Sequence, residues 1–367
     1  MALSSTQRAL IAVALIACLA GLAAIYLHHL HQPLRSSTSG PPPDLLSQLP
    51  TDAPVIAYID VAAVRKLPNS RLAGLLGLAA PEVDSAPRPR GRTGPESHNE
   101  DSREYSQFVR DTGFDYTRDL DQAAIDFWPN DLSPAANRAG DNPALAIADG
   151  RFDQRKIVAY AMRTGGRAER AGGDTRYIVP GYPTVAFQFL SATRIALASG
   201  KDAANLLNIS VNPSNSPAMQ AARVKRVAGA PIFGVAQTDH LPPSFYSSFA
   251  NSPQLEHLIR SIQEISVAGE PHDDAIRLAL DAESDSMAHA IELSTLLDGF
   301  RLIGSMALAD PKTRAQLQMT REQAFVLESF VKQAQVSHQD RWVRISLDLN
   351  PAMLGEAANG GGRARAQ

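Results

Sequence analysis

The sequence predicts an α+β chain: an N-terminal transmembrane helix followed by two related modules of antiparallel sheet with helices packed on one face. Three observations carry this reading. The run from Ala9 to Leu27 holds no charged or strongly polar side chain. Downstream, short apolar runs bounded by Pro, Gly and Asn alternate with stretches of helical spacing. Strand and helix signals recur in a similar order on either side of Asn212-Pro213-Ser214-Asn215-Ser216-Pro217.

With 367 residues and 44% hydrophobic content, the chain has material for about two domains of ~150 residues. Its 35 basic and 38 acidic side chains produce no global positive field, so no nucleic-acid partner is expected. Cys18 is the single cysteine, which excludes an intramolecular disulfide framework and a multi-cysteine metal site.

As a helix rising ~1.5 Å per residue, residues 9–27 reach ~28 Å, about the hydrocarbon thickness of a bilayer. Arg8 precedes the segment and Arg35 is the first formal charge after it. The positive-inside tendency therefore predicts a single-pass inner-membrane protein, with residues 1–8 cytoplasmic and the remainder periplasmic or extracellular. Membrane lipid is the partner expected of residues 9–27. Tyr26, His28, His29 and His31 fall at the far interface, where amphipathic rings settle. Two processing alternatives stay open: a cleaved secretory signal, and a lipoprotein lipidated at Cys18 after Leu15-Ile16-Ala17. Ala17 and Gly21 form a small-xxx-small pair, a pattern that an Ala-rich segment produces by chance.

Residues 28–46 form a Pro/Ser-rich linker. The first α+β domain is expected over 47–210, opening on a buried strand at Val55 to Asp60. Helical spacing follows through Val61, Val64 and Leu72 to Leu78. Residues 81–104 have almost no large apolar side chain and read as a disordered loop. Strands are expected at Ala123 to Trp128 and Ala144 to Ala148, then a helix capped by Asp153. Thr175 to Val179, Thr184 to Leu190 and Arg194 to Ser199 read as a meander, and Lys201 to Leu207 as a closing helix. Residues 211–228 form a connector.

The second domain, 229–356, opens on a strand at Pro231 to Gln237 and a helix at Ser252 to Ile262. Ile265 to Gly269 and Ala275 to Ala282 pair as a hairpin across Glu270 to Asp274. Ser284 to Leu308 is the longest helix, with Met287, Ile291, Leu293, Leu296, Leu297, Phe300, Ile303 and Ala307 forming a broad apolar stripe. A further helix at Ala324 to Val331 and strands at Ala334 to Ser337 and Trp342 to Leu349 complete the domain. Residues 357–367 form a flexible tail.

Leu49-Pro50-Thr51-Asp52-Ala53 leading to Tyr58-Ile59-Asp60, Gly113-Phe114-Asp115 with Arg118-Asp119-Leu120-Asp121, and Gly150-Arg151-Phe152-Asp153 make a set of motifs. Through them the chain resembles a class of bacterial exported or membrane-anchored proteins of unknown function. The likeness covers residues 48–210; beyond that it rests on element order. It implies an N-terminal signal or anchor and carries no catalytic residue across.

Signatures of metalloproteases, α/β-hydrolases, P-loops, dinucleotide folds and calcium loops do not occur in the sequence. Ser329-Phe330-Val331-Lys332 matches S-x-x-K, but its companions S-D-N and K-T-G are missing, so Ser329 reads as an ordinary helix residue. Asp115, Asp119 and Asp121, and Asp281, Glu283 and Asp285, have the chemistry of a divalent-cation cluster. Caps and turns account for both groups, with Ser284 or Asp285 capping the long helix. His272-Asp273-Asp274 reads as an exposed hairpin tip. Trp128 and Trp342 are expected in the core. No catalytic, cofactor or metal residue is assigned. The chain is expected to be a non-enzymatic binding or scaffolding module of the bacterial envelope, with an envelope protein as a candidate partner. A periplasmic hydrolase pairing Asp52 or Asp60 with His240 or His257, and a lipid or small-ligand carrier, are the alternatives.

Overall fold

The computed structural model describes residues 44–50, 53–66, 97–129, 143–171, 173–181, 183–211, 222–240, 253–272, 275–310 and 331–349. The segment 9–27, the linker up to residue 43, the helix expected at 72–78, most of the helix expected at 324–331 and the tail 357–367 lie outside the described residues. Among the described residues no helix is long and apolar enough to cross a membrane.

The fold is α+β, built on one large antiparallel sheet. Its strands are β1 Val55–Asp60, β2 Leu120–Phe127, β3 Ala144–Gly150, β4 Arg167–Ala171, β5 Asp174–Val179, β6 Val185–Phe189, β7 Arg194–Ser199, β8 Ile232–Gln237, β9 Ile262–His272, β10 Ala275–Ser284, β11 Gln335–Gln339 and β12 Trp342–Leu349. They lie side by side in the order β11-β12-β10-β9-β8-β1-β2-β3-β7-β6-β5-β4. The helices are α1 Val61–Arg65, α2 Ser97–Thr112, α3 Tyr116–Asp119, α4 Gln154–Arg163, α5 Ala203–Val211, α6 Ala222–Lys225, α7 Pro253–Arg260 and α8 Met287–Ala309. A 3-10 turn, Asp44–Gln48, precedes them.

The two halves of the chain share this sheet because β1 pairs antiparallel with β8, Val55 opposite Ala236 and Ile59 opposite Ile232. Of the connector, the described residues Val224, Val227 and Ala228 are buried in the first core.

Helices on one face are expected; the structure covers both. In β1, Ile56 and Tyr58 point to one side, where they meet Leu45, Leu46, Leu49, Ala203, Leu207 and Val224. Ile59 points to the other, joining Val61, Val64, Phe114, Ala161, Phe187 and Ile232. The register carries that second face into the second half, from Ile232 to Gly269 and Leu278. There Ala282 and Val343 lie under Leu258, Ile259, Ala290 and Leu293 of α7 and α8. The cause is in the central strands. Runs such as Val55-Ile56-Ala57-Tyr58-Ile59 and Ala144-Leu145-Ala146-Ile147-Ala148 are apolar at both parities, so each side needs cover.

Three further elements differ from the sequence reading. Residues 97–104, expected in the disordered loop, form the first turns of α2. The later turns are held by Tyr105 against Tyr116, with ring centroids 5.0 Å apart, and by Phe108 edge-on to Tyr160 at 5.4 Å. Strand β4 is missed because an edge strand has one neighbour and tolerates Arg-Ala-Glu-Arg-Ala. Strand β9 continues through Glu270-Pro271-His272, where a hairpin tip is expected, because the pairing with β10 extends to His272 opposite Ala275.

Gly150 closes β3 where the backbone crosses Asp119: a Cβ there would stand 2.4 Å from the Asp119 carbonyl oxygen. Backbone cannot yield as a side-chain tip can. Gly150→Ala is therefore expected to lower stability by about 1–3 kcal/mol in urea unfolding. Gly173→Ala, with nothing within 4 Å, should stay within about 0.5 kcal/mol of the parent.

Candidate functional site

The motif residues of the first half are occupied in holding the fold. Asp115 caps α3, accepting from the Thr117 N–H at 3.0 Å and hydroxyl at 2.7 Å, and from the Tyr105 hydroxyl at 2.8 Å. Asp119 is buried and accepts from the Asp115 N–H at 3.0 Å, from Arg118 at 2.6 and 3.0 Å, and from Arg151 at 3.4 Å. Arg65 donates to the carbonyls of Thr117 at 3.2 Å, Arg118, and Leu120 at 2.6 Å, and to Asp121 at 3.1 Å. Three arginines thus neutralise the acidic group. Among the described residues no three His, Cys, Asp or Glu side chains gather as a metal ion would need.

A second polar chain crosses β1, β2, β3 and β7. The Tyr58 hydroxyl donates to Gln122 at 2.8 Å, and Gln122 donates to Asp149 at 2.9 Å. Arg194 donates to both Asp149 oxygens at 2.7 Å and to Asp44 at 2.7 Å. The Arg194 guanidinium holds the Asp44 carboxyl below its usual value, and burial pushes the Tyr58 hydroxyl up. The chain ties the 3-10 turn to the sheet, since every polar atom named is used by a neighbour.

In the second half the face of β9, β10 and β12 opposite α8 is polar. Asp281, buried, receives both arms of Arg344 at 2.5 Å. Arg277 grips Asp348 at 2.8 and 3.0 Å, and Arg341 reaches Glu283 at 2.7 Å. Glu264 Oε1, Ser266 Oγ and Glu270 Oε1 are buried on this face and find no hydrogen-bond partner among the described residues. Burial raises the Glu264 carboxyl, Glu283 adds to that, and Arg226 and Arg223 work against it. Trp342, expected in the core, is half-buried under the guanidinium of Arg226, 3.2 Å from the ring centroid.

The remaining candidates are dispersed. Asp60 caps α1 through the Ala63 N–H at 2.7 Å. His240 lies 3.7 Å from Asp239, and His257 stands edge-on to His289 at 5.4 Å between centroids. No hydrogen bond joins Asp60 to either histidine, and Asp52 lies outside the described residues. Asp285 accepts from His289 Nδ1 at 2.6 Å and does not cap α8. The cap is Ser286, whose hydroxyl accepts the His289 N–H at 3.2 Å. Ser284 is fully buried at the end of β10. Lys332 is described; Ser329, Asp273, Asp274 and the histidines at 28, 29 and 31 are not.

The outer side of α8 has no cover among the described residues. Seven large apolar side chains are exposed among the described residues, and six of them, Met287, Ile291, Phe300, Leu302, Ile303 and Met306, belong to this helix. Ala290 and Leu293 face the sheet. Ser294 fastens the same side by donating to the Ile291 carbonyl at 2.9 Å and lying 3.1 Å from His338 Nδ1. Thr295 and the Asp298–Arg301 pair, at 2.8 Å, interrupt the outer stripe at mid-helix. The apolar surface therefore concentrates at Phe300, Leu302, Ile303 and Met306, where exposure reaches 66%. The broad apolar stripe read from the sequence is thus divided: Met287, Ile291, Phe300 and Ile303 belong to the outside. A stripe wider than one face is the signal that could have identified it.

No protein-family model matches the chain. No curated protein matches it either. Among solved structures the chain is similar to TP0453: in crystal form IV at 11% identity over 88% of this chain and 99% of that one, with a TM-score of 0.42. Crystal form III gives 12% identity, 88% and 100% coverage and a TM-score of 0.42. A likeness at that level leaves the function to this chain's own residues.

Two outcomes follow from the polar groups. Burial would raise the Asp119 carboxyl, but Arg118, the Asp115 N–H and Arg151 outweigh it and hold the group below its ordinary 3.8. A depressed carboxyl stabilises the fold above its ordinary value and loses that contribution as pH falls through the folded value. Urea midpoints of the parent and Asp119→Asn should differ at pH 7 and draw together only as pH falls below 3.8, through the depressed folded value. Asp281→Ala leaves Arg344 unpaired and should cost about 3–5 kcal/mol. Replacing both, Asp281→Leu with Arg344→Met, should recover most of that loss in the same assay.

Proposed function

We propose that the chain is a membrane-anchored, exported binding or scaffolding module of the bacterial envelope, akin to the exported proteins whose motifs it resembles. Its contact surface is the outer face of α8. The observation that carries this reading is the gathering of exposed large apolar side chains on that one helix. Isolated apolar side chains are common on surfaces; a contiguous set marks a contact. No reaction is assigned to the polar clusters, most of whose charges are paired with one another.

The two halves are read as diverged copies of one module about the β1·β8 pair. Strand pairing supports this. β1, β2, β3, β7 and β6 lie outward from the junction on one side, and β8, β9, β10, β12 and β11 on the other. Each third strand leads to a helix on the same face, α4 and α8. The correspondence follows the residues: Phe127 lies opposite Val55 as Gly269 lies opposite Ile232, and Ala144 opposite Phe127 as Leu278 opposite Gly269. Strands β4 and β5 are then an insertion in the first copy.

The test is fractionation of the full-length chain together with a version lacking residues 1–31, each carrying a photo-reactive residue at position 303 or 201. The full chain should stay with membranes through an alkaline wash, keep its N-terminus in intact mass, and give adducts from 303 but not from Lys201. Recovery of a processed chain overturns the retained anchor. A lack of adducts at 303 overturns the contact surface.

A further inference from the structure

The outer side of α8 is apolar without being basic. Arg301 is the single arginine in Met287–Ala309, no lysine occurs there, and Arg301 is tied to Asp298 at 2.8 Å. Glu292, also outward, accepts from Gln254 at 3.1 Å. A surface that recognised anionic groups would carry free cations; this one offers Leu302, Ile303 and Met306, each more than half exposed.

The chain itself brings an apolar phase within reach. Residues 28–43 separate the segment 9–27 from the 3-10 turn at Asp44, and fully extended they span at most ~55 Å. The turn is seated on β2 and β3, while α8 lies over β10, β11 and β12. Six strand steps from β3 to β12, at ~4.8 Å each, amount to ~29 Å across the sheet, and because the turn and α8 lie on opposite faces, passing from one layer to the other adds roughly 20 Å, which still falls within the tether's reach. The tether can thus bring the helix to the bilayer surface. Docking along the chain's own tether is intramolecular, so a modest apolar area suffices where a free protein would need more.

Resting on the anchored reading above, we propose that the C-terminal half of α8 lies on the membrane that residues 9–27 span. Phe300, Leu302, Ile303 and Met306 enter the boundary between headgroups and acyl chains. The contact orients the sheet with its α7/α8 side toward lipid and its polar second-half face away from it. Because α8 carries no free lysine or arginine among the described residues, binding is expected to depend on neither anionic lipid nor low salt.

The experiment uses the full-length chain with Cys18→Ala, so that an introduced cysteine is the sole thiol. Ile303→Cys, or Lys201→Cys as the control on the other side of the sheet, is labelled with an environment-sensitive fluorophore and the chain reconstituted in phosphatidylcholine vesicles. The label at 303 should emit to the blue and lose intensity when lipids brominated along the acyl chain are used. It should keep both properties in about 0.5 M NaCl. The label at 201 should do neither. Leu302→Asp with Met306→Asp should return the 303 label to a water-like emission with an unchanged circular dichroism spectrum. A water-like 303 label on a chain that survives an alkaline wash overturns the docking and leaves the anchor standing. A blue-shifted label that bromine does not quench means a protein contact, a second copy included, and overturns it too. Should the chain wash off the vesicles, the anchor reading fails. Bromine quenching of that released chain on fresh vesicles would still uphold the docking, and its absence would end both.

Discussion

The antiparallel pairing of β1 with β8 is the constraint on which the rest of the structure depends. Both strands are short, and each has a neighbour on either side, so every backbone group along them enters the sheet ladder. The junction is closed at its ends by the Asp60 N–H donating to the Pro231 carbonyl at 2.6 Å and the Gln237 N–H to Pro54 at 2.9 Å. Pro at 54 and 231 can stand there because each flanks its strand rather than interrupting it. Tyr58 stacks on Phe233 across the pair, with centroids 5.3 Å apart, and this contact sits at the centre of the first core. Two segments far apart in sequence are thereby fused into one sheet with a continuous apolar middle.

What lies outward from that junction differs between the halves. Ala124, Ile147 and Ala196 stand in one cross-strand row of the first half and are apolar. The comparable row of the second half is Ser266, Asp281 and Arg344. The first packs under Leu45, Leu46, Leu49 and α5, each leucine contributing ~1.5–3 kcal/mol by leaving water. The second relies on a bidentate ion pair, whose attraction must offset the desolvation of both partners. Its worth is geometric: a planar guanidinium fixes the spacing and register of β10 and β12. The apolar material of the second half is instead divided between the inner side of α8 and its outer side.

Much of the architecture could be read from local chemistry. Val55 to Asp60, Arg194 to Ser199 and Ile232 to Gln237 are strands within the expected bounds because β-branched and apolar residues there are bracketed by Pro, Gly and Thr. Asp60 and Asp153 cap the helices that follow them, since a carboxylate before an apolar-periodic run has free N–H groups to accept. Strand β4 and the start of α2 were illegible, because both are polar stretches whose conformation is imposed by a neighbour. The role of the Asp119 cluster was half legible. Its turn chemistry is local, but Arg65 and Arg151 come from distant positions that no spacing rule connects.

The sequence alone determines most of the order of strands and helices, the caps at Asp60 and Asp153, and the charge-free run from Ala9 to Leu27, because propensity, periodicity and turn chemistry act over a few residues. Only the tertiary structure decides that the halves join through β1 and β8, that both faces of the sheet are covered, and which side of α8 is turned outward. Helical periodicity records how many apolar residues a helix carries, whereas the direction each one faces is set by the packing of Ala290 and Leu293 on Ala282 and Val343. Those contacts join residues that are close only after the chain has folded.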